Sequence, residues 1–206
     1  MGLFLLGLPI ITVILCLLIK NKAALYTLGI ISTAAALVIS LLLTKEVMTA
    51  GSVSYALWGG FFYADALSMI FLDIVTLLCF VVSVFSVGYL EQDMKIGSID
   101  LGKVHIYYIL LFAFIFTMFL ALTVRNLGIM WVAIEATTLA SAFLVGFYNN
   151  QKGIEAAWKY VIICSVGIAL AFMGVIFMHL ASLDCLAEHE FLNWTALMEH
   201  GTELNQ

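Results

Sequence analysis

A chain of 206 residues that is 65% hydrophobic and only 10% charged falls outside the ordinary soluble class, in which charged residues make up about 25%. Its net charge of −5 is scattered over polar connections and the C-terminal stretch, which excludes a basic surface for nucleic acid. Recurring apolar runs, each near the ~20 residues a helix needs to cross a ~30 Å hydrocarbon core, predict an all-α polytopic membrane protein. The runs are continuous rather than alternating, which excludes a transmembrane barrel.

The first run, Leu3 to Ile19, ends at Lys20-Asn21-Lys22 and contains Pro9, the only proline. No basic region precedes it and no small-x-small cleavage site follows, so it reads as a retained helix rather than a signal peptide. A second helix is predicted over Ala23–Leu43, closing at Thr44-Lys45-Glu46. Val47 to Gly60 is less apolar and carries Tyr55, Trp58, Gly59 and Gly60, residues that suit the membrane–water interface. A third helix is predicted over Ala66–Gly88, with Asp65 at its entrance and Asp73 inside it.

Glu91 to Lys103 reads as a polar loop, then helix four as His105–Val124. Arg125-Asn126 makes a tight turn into helix five, Leu127–Phe147. After Asn149-Asn150-Gln151-Lys152-Gly153, helix six runs over Glu155–Leu180, and the acidic remainder, Ala181 to Gln206, reads as an interfacial or external tail. Grouped, residues 1–88 hold three helices, 89–104 a cytoplasmic loop, 105–180 helices four to six, and 181–206 the tail. With the N-terminus outside, the inner loops hold five Lys residues and the outer loops hold Lys45 and Arg125. That bias predicts an external N-terminus, because basic residues concentrate on the cytoplasmic side.

Cys16, Cys79, Cys164 and Cys185 show no metal or disulfide spacing, and the three in apolar runs read as small buried hydrophobes. His105 and His179 fall at opposite ends of their helices and cannot share a haem iron. No glycine-rich phosphate loop or nucleophile elbow is present.

Three intramembrane residues remain as candidates. Glu135 lies near the middle of helix five, where a charge costs about 3 kcal/mol on insertion scales and marks an ion path or proton relay by default. Gly128, Thr138, Ala142 and Gly146 recur on its helix face, and small residues there let a neighbouring helix approach. Lys159 lies one turn into helix six, four residues after Glu155, the favourable order for a helical pair. The short connection between helices five and six makes them neighbours, so Lys159 is a candidate to face the cavity that Glu135 lines. Asp73 needs a partner or water by the same cost argument and ranks second as a proton-path residue. Asp65 reads as an N-terminal helix cap.

The run Trp131 to Ser141, followed by Glu155-Ala156-Ala157-Trp158-Lys159-Tyr160-Val161-Ile162, resembles the antiporter-like membrane subunits of respiratory complex I and membrane-bound hydrogenases, in particular the hydrogenase-4 component F type. Tyr63 to Ser68, Ser86 to Leu90 and Asn193 to Leu197 extend the resemblance over essentially the whole chain. It implies proton or sodium translocation coupled to electron transfer, and a chain that itself holds no cofactor. Iron–sulfur and nickel–iron or flavin centres would sit in partner subunits of a peripheral redox arm. Glu135 then matches the family's helix-five glutamate, whose partner is a lysine on helix seven, and Lys159 matches the lysine at the start of helix six. Family members have about fourteen helices, with inverted repeats that each contain a broken helix. The present residues reach only helix six, which implies an N-terminal portion completed by further chain, a split subunit completed by a second polypeptide, or a reduced accessory subunit. A stand-alone six-helix permease and a structural membrane scaffold are the alternatives.

Overall fold

The computed structural model describes residues 1–19, 21–55, 62–183 and 192–199. In chain order these form α1 (Gly2–Leu18), α2 (Lys22–Ala50), β1 (Ser52–Tyr55), β2 (Phe62–Asp65), α3 (Ala66–Ile96), α4 (Leu101–Thr123), α5 (Leu127–Val145), α6 (Gln151–Ser182) and a short α7 (Trp194–Glu199). Helices α2 to α6 are each long and apolar enough to cross a membrane. The apolar α1, at 17 residues with Pro9 inside, is about 26 Å long. The protein is thus a multi-pass helical membrane protein with about six spanning helices.

Helix starts follow from side-chain chemistry. Asn21, Asp65, Asp100, Asn126 and Asn150 precede α2 to α6, and each accepts a backbone N–H from the first turn, which satisfies a donor the helix leaves unpaired. At Asp65 the bond runs from the Ser68 N–H at 2.8 Å, so the capping role read from sequence is the observed one.

Helix ends depart more from the sequence reading. α3 does not stop at Gly88 but runs eight residues further, so Glu91, Asp93 and Lys95 ride on its last turns and the polar connection shrinks to Gly97–Asp100. Gly97 supplies the stop: its φ of 79° is left-handed, a conformation that costs glycine little, and its N–H returns to the carbonyls of Asp93 and Met94. α2 likewise continues through Thr44-Lys45-Glu46 to Ala50. The segment expected at the interface becomes β1, paired antiparallel with β2 from Ser52↔Asp65 to Tyr55↔Phe62; Trp58, Gly59 and Gly60 lie outside the described residues, as do Lys20, Cys185 and most of the tail.

The core belongs to α1–α4. Leu5, Leu25, Leu43, Leu72, Tyr108 and Phe119 are fully buried there. Lipid tails are as apolar as leucine, so small residues and hydroxyls must hold such helices together. The hydroxyls of Thr12 and Ser32 join α1 to α2 at 2.6 Å, and those of Ser86 and Tyr107 join α3 to α4 at 2.6 Å. α5 packs on α4 and α6 on α5, which leaves α6 outermost with Ile163, Leu170 and Phe177 exposed.

The hairpin end is tied together separately. Bridges pair Phe62 with Val124 and Asn126 with Asn193, while Arg125 Nε donates to Thr195 Oγ1 at 2.6 Å and its guanidinium stands over the Tyr63 ring.

Candidate functional site

Glu135 lies one residue from the midpoint of α5. Its side chain is half-buried, and its Oε2 is buried with no hydrogen-bond partner. The hydroxyls nearby on the same helix are directed at the backbone instead: Thr137 donates to Ala133 O at 2.8 Å, Thr138 to Glu135 O at 2.7 Å and Ser141 to Thr138 O at 2.8 Å. One oxygen of the carboxyl therefore stands buried and unpaired in the centre of a spanning helix, where an unpaired polar atom is costly.

α6 is held against this helix at two heights. The Trp131 indole N–H donates to Ile168 O at 2.9 Å, with its ring 4.5 Å from that of Phe172. The hydroxyls of Ser141 and Tyr160 lie 2.9 Å apart. At Gly146 a Cβ would stand 3.5 Å from the Ala157 Cβ, so the small-residue face does admit close approach of the next helix. Between the two helices lies a groove of about 400 Å³ lined by Leu139, Ala142 and Phe143 of α5 and Ala157, Trp158 and Val161 of α6, among others. It begins one turn from Glu135 and is lined by neither Glu135 nor Lys159.

Lys159 is exposed and pairs with Glu155 at 2.5 Å, the i,i+4 pair expected from sequence. Its neighbour Tyr160 reaches Ser141, six residues beyond Glu135, and α6 runs antiparallel to α5, which places Lys159 about 10 Å from Glu135 along the helix axis at 1.5 Å per residue. No hydrogen bond or ion pair joins the two residues.

Asp73 finds partners that the sequence did not name. Both carboxyl oxygens accept hydroxyls from α2: Oδ1 from Ser40, in a short hydrogen bond, and Oδ2 from Thr44 at 2.7 Å. Ser40 and Thr44 sit four residues apart in an apolar helix, a spacing that puts both on one face; that was the available signal. His105 is elsewhere engaged: Nδ1 lies 2.8 Å from Leu101 O and Nε2 2.6 Å from Ile19 O, joining α4 to the end of α1. Cys16 and Cys79 are buried, and Cys164 is half-buried.

The described residues thus form a bundle of spanning helices with a carboxyl group at the centre of one helix and a hydroxyl-bonded carboxyl in another, the class of multi-pass helical membrane subunit. Comparison with known proteins makes the class specific. Residues 60–98 match the family described as "NADH-Ubiquinone oxidoreductase (complex I), chain 5 N-terminus". The chain is 34% identical over 148 residues to a hydrogenase-4 component F homolog of Methylacidiphilum infernorum, covering 71% of this chain and 31% of that protein. It is 30% identical over 165 residues to F(420)H(2) dehydrogenase subunit N of Methanosarcina mazei, covering 78% of this chain and 31% of that protein. A further relative is Na(+)/H(+) antiporter subunit A1 of Staphylococcus haemolyticus, 29% identical over 139 residues, with 67% of this chain and 16% of that protein covered. Among solved structures, a chain of the membrane-bound sulfane sulfur reductase, an archaeal respiratory membrane complex, superposes with a TM-score of 0.78 at 16% identity, over 99% of this chain and 40% of that one. The chain is similar to the antiporter-like membrane subunits of complex I and hydrogenase-type complexes, the resemblance its residues carry. It spans about a third of the length of the first two relatives.

Proposed function

We propose that this chain is the N-terminal portion of a proton- or sodium-translocating membrane subunit in a hydrogenase-4-like or NADH dehydrogenase-like complex. In that assembly it sits in the cell membrane with its N-terminus outside, beside other membrane subunits. Electron transfer in a partner arm carrying iron–sulfur and nickel–iron or flavin centres drives the ion movement. The observation that carries the reading is the half-buried Glu135 at the centre of α5, whose Oε2 is buried and unpartnered, in a chain whose relatives include an Na(+)/H(+) antiporter subunit.

Glu135 acts as the relay, taking a proton while its surroundings are dry and releasing it when a positive charge approaches. Lys159 is the cation this chain can offer, and Glu155 holds its ammonium.

Glu135→Gln tests the reading. The reconstituted complex is expected to keep electron transfer to artificial acceptors and to lose most of its proton pumping; pumping at the unaltered level would remove Glu135 from the ion path.

A further inference from the structure

Asp73 is the only charged residue type between Ala66 and Leu90, and α2 carries none between Ala23 and Thr44. Elsewhere in the bundle neutral pairs join the helices, as Thr12 with Ser32 and Ser86 with Tyr107 do. A carboxylate is not needed for that task and costs about 3 kcal/mol at bilayer depth. Among the described residues no basic side chain pairs with it, and its hydrogen-bond partners are the hydroxyls of Ser40 and Thr44.

What surrounds the charge is oxygen. Two carboxyl oxygens and two hydroxyls converge, and the Ser40 carbonyl lies 3.1 Å from Thr44 Oγ1. Ser40 is fully buried, whereas Asp73 and Thr44 are half-buried, so one side of the cluster is walled and the other accessible. Asp73 lies seven residues into α3, about 10 Å from its start at the hairpin end. An uncompensated carboxylate among hydroxyl and carbonyl oxygens, with no nitrogen or sulfur donor, is suited to a hard cation rather than a soft transition metal.

We propose that Asp73, Ser40 and Thr44 form a sodium site between α2 and α3, separate from Glu135, in which a proton competes with Na⁺ for the same carboxylate. Binding leaves the covalent structure unchanged: Na⁺ takes up the carboxylate charge, and the hydroxyls turn their lone pairs to the ion. Thr44 already has the Ser40 carbonyl within 3.1 Å to receive its redirected proton. The charged and titratable groups described at this end are Lys45 and Glu46 on α2, both exposed, Asp65 at the α3 cap, the N-terminal amine before α1, Tyr63 of β2 and Arg125 after α4; α4 has none between Ile109 and Thr123.

The test uses the full chain in lipid nanodiscs and dicyclohexylcarbodiimide, which modifies protonated carboxyls in apolar settings. Modification of the Asp73 peptide is followed by mass spectrometry in NaCl and in choline chloride at equal ionic strength. We expect modification in choline that falls as pH rises and drops several-fold further in NaCl, together with a sodium-dependent rise in Tm. The Ser40→Ala/Thr44→Val variant is expected to lose the sodium protection while still reacting. Asp73→Asn, which keeps acceptor and shape, is expected to fold without the sodium-dependent Tm rise. Glu135→Gln is expected to leave Asp73 protection unaltered, so the site stands or falls independently of the relay. Equal modification in the two salts, or a sodium-dependent Tm rise that persists in Asp73→Asn, would overturn the proposal.

Discussion

The indole N–H of Trp131 on α5 donates to the carbonyl of Ile168 on α6 at 2.9 Å, while its ring packs 4.5 Å from that of Phe172. One side chain thereby sets both the height and the rotation of the outermost helix against the helix that carries Glu135. Trp131→Phe keeps the ring contact and removes the donor, and it is expected to weaken α5–α6 association by about 1 kcal/mol. Trp131→Ala removes both, at about 3–5 kcal/mol. Denaturant titration of the reconstituted chain, with a probe on α6, reads the difference.

Gly29 on α2 lies under the Tyr108 ring of α4. A Cβ there would stand 2.6 Å from Tyr108 Cε1 and 3.3 Å from Ser83 Oγ. Tyr108 is fully buried and has no room to retreat, so Gly29→Ala is expected to destabilise the bundle by about 1–3 kcal/mol. Gly167 on α6 meets nothing within 4 Å, and Gly167→Ala is expected to be neutral or slightly stabilising, since alanine is the better helix former. Thermal unfolding of the two variants side by side checks the contrast.

Asn126 caps α5 by accepting from both the Gly128 and Ile129 N–H groups, at 2.9 and 3.1 Å. Asn126→Ala is expected to cost about 1 kcal/mol and to speed hydrogen exchange in the first turn of α5. Asn126→Asp, which restores the acceptor, is expected to recover most of the protection. Exchange rates at Gly128 and Ile129 that stay unaltered in Asn126→Ala would show that the cap does not hold the turn.

Much of the architecture is legible in the residues. Runs of about 20 apolar residues in a chain with so few charges have no stable home except across a bilayer, where the helix satisfies its own backbone. Asp65 and Asn126 announce helix starts through their side chains alone. The hairpin is not legible in the same way: Ser52–Tyr55 and Phe62–Asp65 are too short to carry a distinct pattern and become strands by pairing with each other. Nor is the length of α3, because Glu91, Asp93 and Lys95 look like a loop by composition, yet a helix continues past the hydrocarbon edge until a left-handed glycine stops it.

The candidate residues divide along the same line. Glu135, Lys159 and Asp73 are visible in the sequence because a charge in an apolar run is costly wherever that run goes. The Lys159–Glu155 pair is equally visible, since a spacing of four is a local property of any helix. That Asp73 meets Ser40 and Thr44, 33 and 29 residues earlier in the chain, and that Lys159 turns to Glu155 rather than to Glu135, depends on how the helices rotate and slide on packing. Local chemistry therefore determined which residues carry charge into the membrane, and only the tertiary structure decided which oxygens surround each one.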